Sequence, residues 1–76
     1  MKTEQEMKDL GRGLIESAKT VDWKDVDRLK KITRNLHMIR TSISILSDNP
    51  SEELLRKLLE TSDSKETKDC VNYLLS

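Results

Sequence analysis

The chain has 76 residues, enough for a single domain, and its 14 basic and 14 acidic side chains give a formal net charge of zero. Charged residues make up 37% and hydrophobic residues 34%. No signal peptide, transmembrane run or lipidation motif is visible, so none is expected. A single cysteine, Cys70, excludes an internal disulfide and favours an intracellular, reducing compartment.

A first helix is predicted over residues 3–20. Its apolar residues recur every three or four positions, at Met7, Leu10, Leu14 and Ala18. Thr3 followed by Glu6 is the pattern of a capping box. Gly11 and Gly13 interrupt the segment, and each costs roughly 1 kcal/mol relative to alanine in a helix. They either loosen the helix or mark its true beginning near Arg12.

The longest amphipathic stripe in the chain predicts a second helix from Trp23 towards Leu46. Its members are Val26, Leu29, Ile32, Leu36, Ile39, Ile43 and Leu46. Asp22 is the expected N-cap, with Val21 and Val26 at the positions of a hydrophobic staple. Weak helix formers follow in the second half of the stripe, so we expect a break or kink between Asn35 and Arg40.

Two shorter helices are predicted in the last third of the chain. Asn49 and Pro50 suit the cap and first position of a third helix, which ends at Thr61–Ser62. Asp63, with Glu66 three residues later, is the expected cap of the fourth. The apolar residues of the two helices are Leu54, Leu55, Leu58, Leu59, Cys70, Val71, Leu74 and Leu75.

The predicted fold class is therefore all-α, a compact bundle of four to five short helices packed as right-handed antiparallel helical hairpins. We expect residues 1–76 to form one helical domain. The absence of a C-cap signal before Ser76 would also suit a fragment of a longer protein.

Charge is distributed unevenly along the chain. Residues 24–40 hold six basic and two acidic side chains, whereas residues 47–69 hold four basic and seven acidic ones. These segments either pair across the fold as solvated faces or form a basic patch for an acidic peptide or nucleic acid. The candidate patch is Lys30, Lys31 and Arg34. Nucleic acid is the weaker alternative, because no aromatic residues are interleaved to stack on bases.

No cluster of residues indicates catalysis or a bound cofactor. His37 is the only histidine and has no cysteine, histidine or aspartate at metal-ligand spacing, so we expect neither a metal nor a cofactor. Cys70 lies among apolar residues and is expected to be a buried, unreactive thiol. There is no glycine-rich phosphate loop or calcium-binding loop. We therefore do not expect an enzyme.

The order of these segments resembles the N-terminal domain of transcription elongation factor S-II, a family that includes integrase-binding domains. The resemblance covers residues 8–76 and depends on Val-Asp-Trp-Lys-Asp-Val at 21–26, Glu-Glu-Leu-Leu-Arg-Lys-Leu at 52–58 and Ser-Asp-Ser-Lys-Glu at 62–66. It implies a five-helix bundle that captures short motifs from disordered regions of transcription proteins. It would also imply a nuclear location.

The resemblance assigns partner contacts to the loop between the first two helices. Val21 would be an apolar lip and Asp22 an acceptor for backbone amides of the partner. Trp23, next to them, is either a cover for one end of the core or a binding anchor. The sequence departs from the family in the polar loop 60–64, where integrase-binding members carry apolar contacts, and in lacking a Leu-Trp pair near its end.

Two functional hypotheses follow from the sequence. The first is a monomeric, non-catalytic protein-interaction module in transcription, with a shallow apolar groove near residues 21–23. The second is a structural or oligomerising bundle, a regulator or subunit fragment, in which the stripe of the second helix pairs with another copy. A membrane partner is not expected, because no long apolar segment is present.

Overall fold

Four helices and no strands make up the protein in a computed structural model that describes residues 1–76. The helices are α1 (Glu4–Lys19), α2 (Val26–Ser47), α3 (Glu52–Thr61) and α4 (Lys65–Leu75). Together they form an elongated all-α bundle with dimensions of 42 × 25 × 17 Å. The predicted fold class is confirmed, with four helices and not the five that the family resemblance implies.

Helix α1 begins as its sequence predicts and continues through both glycines. The hydroxyl of Thr3 accepts a hydrogen bond from the backbone N–H of Glu6 at 3.2 Å, and in turn donates to the Glu6 carboxylate at 3.3 Å. The first bond satisfies one amide of the first turn, as in a capping box, whereas the Glu6 carboxylate bonds the Thr3 hydroxyl and not its backbone N–H. Gly11 faces Ile39 of α2, while Gly13 faces open solvent, so neither position needs a break in the helix.

Helix α2 begins three residues later than predicted. Asp25, not Asp22, is the N-cap, and its carboxylate accepts from the backbone N–H of Arg28 at 3.2 Å. The segment before it forms a turn in which the backbone N–H of Asp25 donates to the carbonyl of Asp22 at 2.8 Å. Val21 and Val26 therefore do not stand at the staple positions, since Val26 is the first residue of the helix.

The predicted break between Asn35 and Arg40 is wrong, because α2 runs without interruption for 22 residues. The hydroxyls of Thr33 and Thr41 donate to carbonyls one turn earlier, at 2.8 and 3.0 Å; such bonds slightly weaken or bend helices, but they do not interrupt this one. Ile39 is buried within the same segment. Burial of this face outweighs the weak intrinsic helix propensity of the segment.

The caps of α3 and α4 each lie one or two residues from their predicted positions. Ser51 caps α3 and Ser64 caps α4, through hydrogen bonds from the amides three residues later at 3.1 and 3.2 Å. Asn49, predicted as a cap, instead follows the end of α2 with a φ of 50°. Asparagine tolerates this left-handed conformation, which is common after a helix C-terminus. Asp63, also predicted as a cap, lies in the loop before Ser64.

The core lies where α1 and α4 both pack against α2. Its central cluster contains Met7, Ile39, Leu46 and Leu74, and the segment before α1 is joined to the end of α4 by a hydrogen bond from the Lys2 N–H to the Leu74 carbonyl at 2.9 Å. Helix α3 packs against α4 as a second hairpin. Val26 and Leu54 belong to the predicted apolar stripes, yet the structure leaves them 52% and 48% exposed.

Candidate binding surface

The connection between α1 and α2 is a compact corner with an exposed aromatic side chain at its tip. The Asp22 carboxylate accepts from the backbone N–H of Lys24 at 3.0 Å, which holds the turn. Trp23 lies between them and is 77% exposed. The Lys24 ammonium lies 5.5 Å from the centre of its ring, within the range of a cation–π contact.

The predicted partner-binding residues Val21, Asp22 and Trp23 all lie at this corner, and Val26 extends its apolar surface. The corner is convex, since none of the four concavities of the protein is lined by residues 21–23. No groove is therefore found at residues 21–23, where a shallow one was expected. The surface can act as a protruding anchor but does not enclose a ligand.

The candidate basic patch on α2 is exposed and has no acidic partner within the chain. Lys30, Lys31 and Arg34 are all exposed and take part in no ion pair. Four of the five ion pairs in the structure join two residues of the same helix, three of them in α1 and one in α3. Pairing of the basic and acidic segments across the fold is thus limited to His37 and Glu66.

A groove of about 580 Å³ between α1 and α2 is the feature that the sequence analysis missed. Its apolar members are Ile15, Leu36, Ile39 and Ile43. Its basic members are Lys8, Arg12 and Arg40, with His37 at one side and no carboxylate in the lining. Leu36, Ile39 and Ile43 belong to the predicted stripe, but that stripe does not show where α1 leaves it uncovered, so only the relative placement of the two helices reveals the groove.

The His37–Glu66 pair links α2 to α4 on the other side of α2. The Nε2 of His37 lies 2.6 Å from Oε1 of Glu66, and both side chains are more than half exposed. Thr33 and His37 line both this side and the groove. The pair bridges two helices, and Arg34, Lys65 and Asp69 line the same concavity.

Cys70 is buried, as its apolar neighbours predict. Its thiol lies 3.7 Å from the carbonyl of Met38, to which it donates. Burial raises the pKa of Cys70 above its ordinary value of 9.0; the Ser42 hydroxyl partly offsets this, and the charges of Glu66 and Asp69 add to it. A buried thiol with a raised pKa is a poor nucleophile.

None of the helices is both long and apolar enough to cross a bilayer. No group of three or more histidine, cysteine, aspartate or glutamate side chains is arranged to hold a metal ion. The chain matches no known family, no curated protein and no solved structure. The resemblance to the elongation-factor family therefore stays a prediction from the residues that carry it.

Proposed function

We propose that the chain is a non-catalytic protein-interaction module that binds short motifs in disordered regions of other proteins. The observation that carries this proposal is the 77% exposure of Trp23 at the α1–α2 corner. Exposing a tryptophan forgoes one of the largest apolar burials available to a side chain. Tryptophan is also among the residues enriched at the energetic centres of protein interfaces.

The residues around Trp23 support the same proposal. Val26 adds a second apolar side chain that is 52% exposed. Only one oxygen of the Asp22 carboxylate is engaged in the turn, through Lys24, so the other remains an acceptor for a backbone amide of a partner. The setting that we propose, transcription within an intracellular and nuclear compartment, rests on the family resemblance alone.

A display selection tests this proposal. A library of peptides taken from disordered protein regions would be selected against the immobilised chain, against Trp23→Ala and against Leu54→Ala. Leu54 is the matched control, because it is also a large apolar side chain, 48% exposed, but lies on α3. We expect Trp23→Ala to lose the enriched peptides and Leu54→Ala to keep them. Equal enrichment by wild type and Trp23→Ala would contradict the proposal.

A structural or oligomerising bundle is the second candidate, favoured by the uninterrupted length of α2. The stripe that would pair with another copy, however, is largely occupied: Ile32, Ile39 and Leu46 are buried inside one chain. We therefore propose a monomer. Sedimentation at several protein concentrations separates the candidates, and a dimer at micromolar concentration would favour the second.

A further inference from the structure

The groove between α1 and α2 carries positive charge without an opposing carboxylate in its lining. Lys8 and Arg12 each pair only with an exposed acidic residue of the same helix, Glu4 at 3.4 Å and Asp9 at 4.0 Å. Such exposed pairs contribute little and are easily exchanged. Arg40, on the opposite wall, has no ion pair. The groove is therefore complementary to a negatively charged ligand.

The groove is also apolar along its floor. Leu36, Ile39 and Ile43 of α2 line it, but Ile39 is only 6% exposed, so the surface open to a ligand comes from the half-buried Leu36 and Ile43 and from Ile15 of α1, which is 50% exposed. A ligand that fills the groove and removes this surface from water must carry apolar groups of its own. A groove lined by both basic and apolar side chains is complementary to a ligand that is acidic on one face and apolar on the other.

The shape of the groove favours a helix as that ligand. Its α2 wall runs from Thr33 to Ile43, which spans about 15 Å at the rise of an α-helix, or nearly three turns. Both walls are helices whose own hydrogen bonds are satisfied, so they offer no strand edge for an extended peptide. A helical ligand satisfies its own backbone and presents apolar side chains at three- and four-residue spacing.

We infer that this groove binds a short acidic, amphipathic helix of a partner protein. The inference rests on the proposed function and gives the chemistry of the partner. The groove also leads towards the α1–α2 corner, because Val26, Leu29, Thr33 and Leu36 lie on one side of α2 by helical spacing. Val26 lies seven residues, about 10 Å along α2, beyond Thr33, so a bound helix would need about five turns to reach this corner.

Nucleic acid is the competing occupant of a basic groove. Phosphate contacts need positive charge but no apolar floor. Single-stranded nucleic acid would also need aromatic platforms for its bases, and no aromatic side chain lines the groove. The apolar floor thus favours the acidic helix, and an oligonucleotide belongs in the test as the alternative.

The test uses a fluorescein-labelled peptide of three helical turns, with leucines at heptad spacing and glutamates elsewhere. Fluorescence anisotropy would measure its binding to the 76-residue chain, beside a peptide with lysine for glutamate and a single-stranded oligonucleotide. We expect the acidic peptide alone to bind, with an affinity that falls as salt rises.

Arg40→Glu tests the basic side chains of the groove, and Ile15→Ser tests its apolar side chains. Lys57→Glu is the matched control for the first, because it makes the same change of charge at an exposed position on α3. We expect Arg40→Glu to weaken binding about tenfold or more, Ile15→Ser several-fold, and Lys57→Glu less than about twofold. Circular dichroism of each variant checks that the helices are intact.

Three results with the labelled ligands would overturn the inference. They are an equal loss of affinity in Arg40→Glu and Lys57→Glu, tighter binding of the oligonucleotide than of the acidic peptide, and no binding of the acidic peptide. Self-association abolished by Arg40→Glu would also overturn it, since the occupant would then be another copy. If display-selected peptides still require Trp23, the proposed function survives the loss of this inference.

Discussion

Replacing Gly13 with alanine should stabilise the protein. Gly13 lies in the interior of α1, and no atom lies within 4 Å of a Cβ placed there. The substitution therefore makes and breaks no tertiary contact, and its effect comes from the smaller conformational freedom of the unfolded chain. We expect a gain of about 0.4–1 kcal/mol, which raises Tm by roughly 2–8 °C in a domain of this size.

Gly11→Ala is the matched comparison within the same helix. A Cβ at Gly11 would lie 3.6 Å from Cγ2 of Ile39, an ordinary van der Waals contact. The same gain in stability is expected, with a small addition from this contact. The two substitutions share no packing partner, so the double variant should gain close to their sum.

Urea unfolding followed by circular dichroism at 222 nm measures the effect as a higher midpoint with an unchanged slope. A loss of stability in Gly13→Ala would refute the reasoning, because it would mean that the glycine adopts a conformation closed to other residues. Gly13→Pro provides the opposite control. It should cost about 3 kcal/mol or more in a continuous helix and far less in a loop.

Two further predictions concern the core. Met7→Ala should lower the free energy of unfolding by about 2–5 kcal/mol, because the side chain is fully buried in the central cluster. Urea unfolding would measure this loss, and a value well below the range would place Met7 outside the core. For Cys70, the folded state has the higher pKa, so its contribution to stability is complete below the ordinary value of 9.0 and declines as pH rises above it. The stability of wild type relative to Cys70→Ala should therefore fall above pH 9.0, and a constant difference would contradict the burial of the thiol.

The helices could be predicted from the sequence, but their exact first residues could not. At α1 one residue, Thr3, combines a capping side chain with Glu6 at the right spacing, and the prediction is confirmed. Before α2 two aspartates compete for the same role. Asp22 closes the turn and Asp25 caps the helix, a division set by backbone hydrogen bonds between them. The local sequence pattern alone does not show which of these two aspartates is the N-cap.

The continuity of α2 shows where intrinsic propensity loses to packing. Thr33 and Thr41 count against a helix in isolation. In the fold both hydroxyls bond back to the helix, and Ile39 between them is buried. Packing against α1 and α4 stabilises the helix through residues 35–40, and this packing cannot be inferred from the helix propensities of those residues alone.

The exposed surface follows from the unequal lengths of the helices. Helix α2 has 22 residues and α4 has 11, so α4 covers about 17 of the 33 Å of α2. Glu66, near the start of α4, lies beside His37, and Leu74, near its end, lies in the cluster with Leu46, so the covered half is the C-terminal one. Thr33 and Arg34 still line a concavity with Lys65, Glu66 and Asp69 of α4, whereas the first turns of α2 lie beyond the start of α4. Candidate residues Trp23, Lys30, Lys31 and Arg34 belong to the N-terminal half of α2 or to the turn before it. The exposure of the residues before Thr33 thus follows from the topology, because α4 is half as long as α2 and does not extend along its first turns.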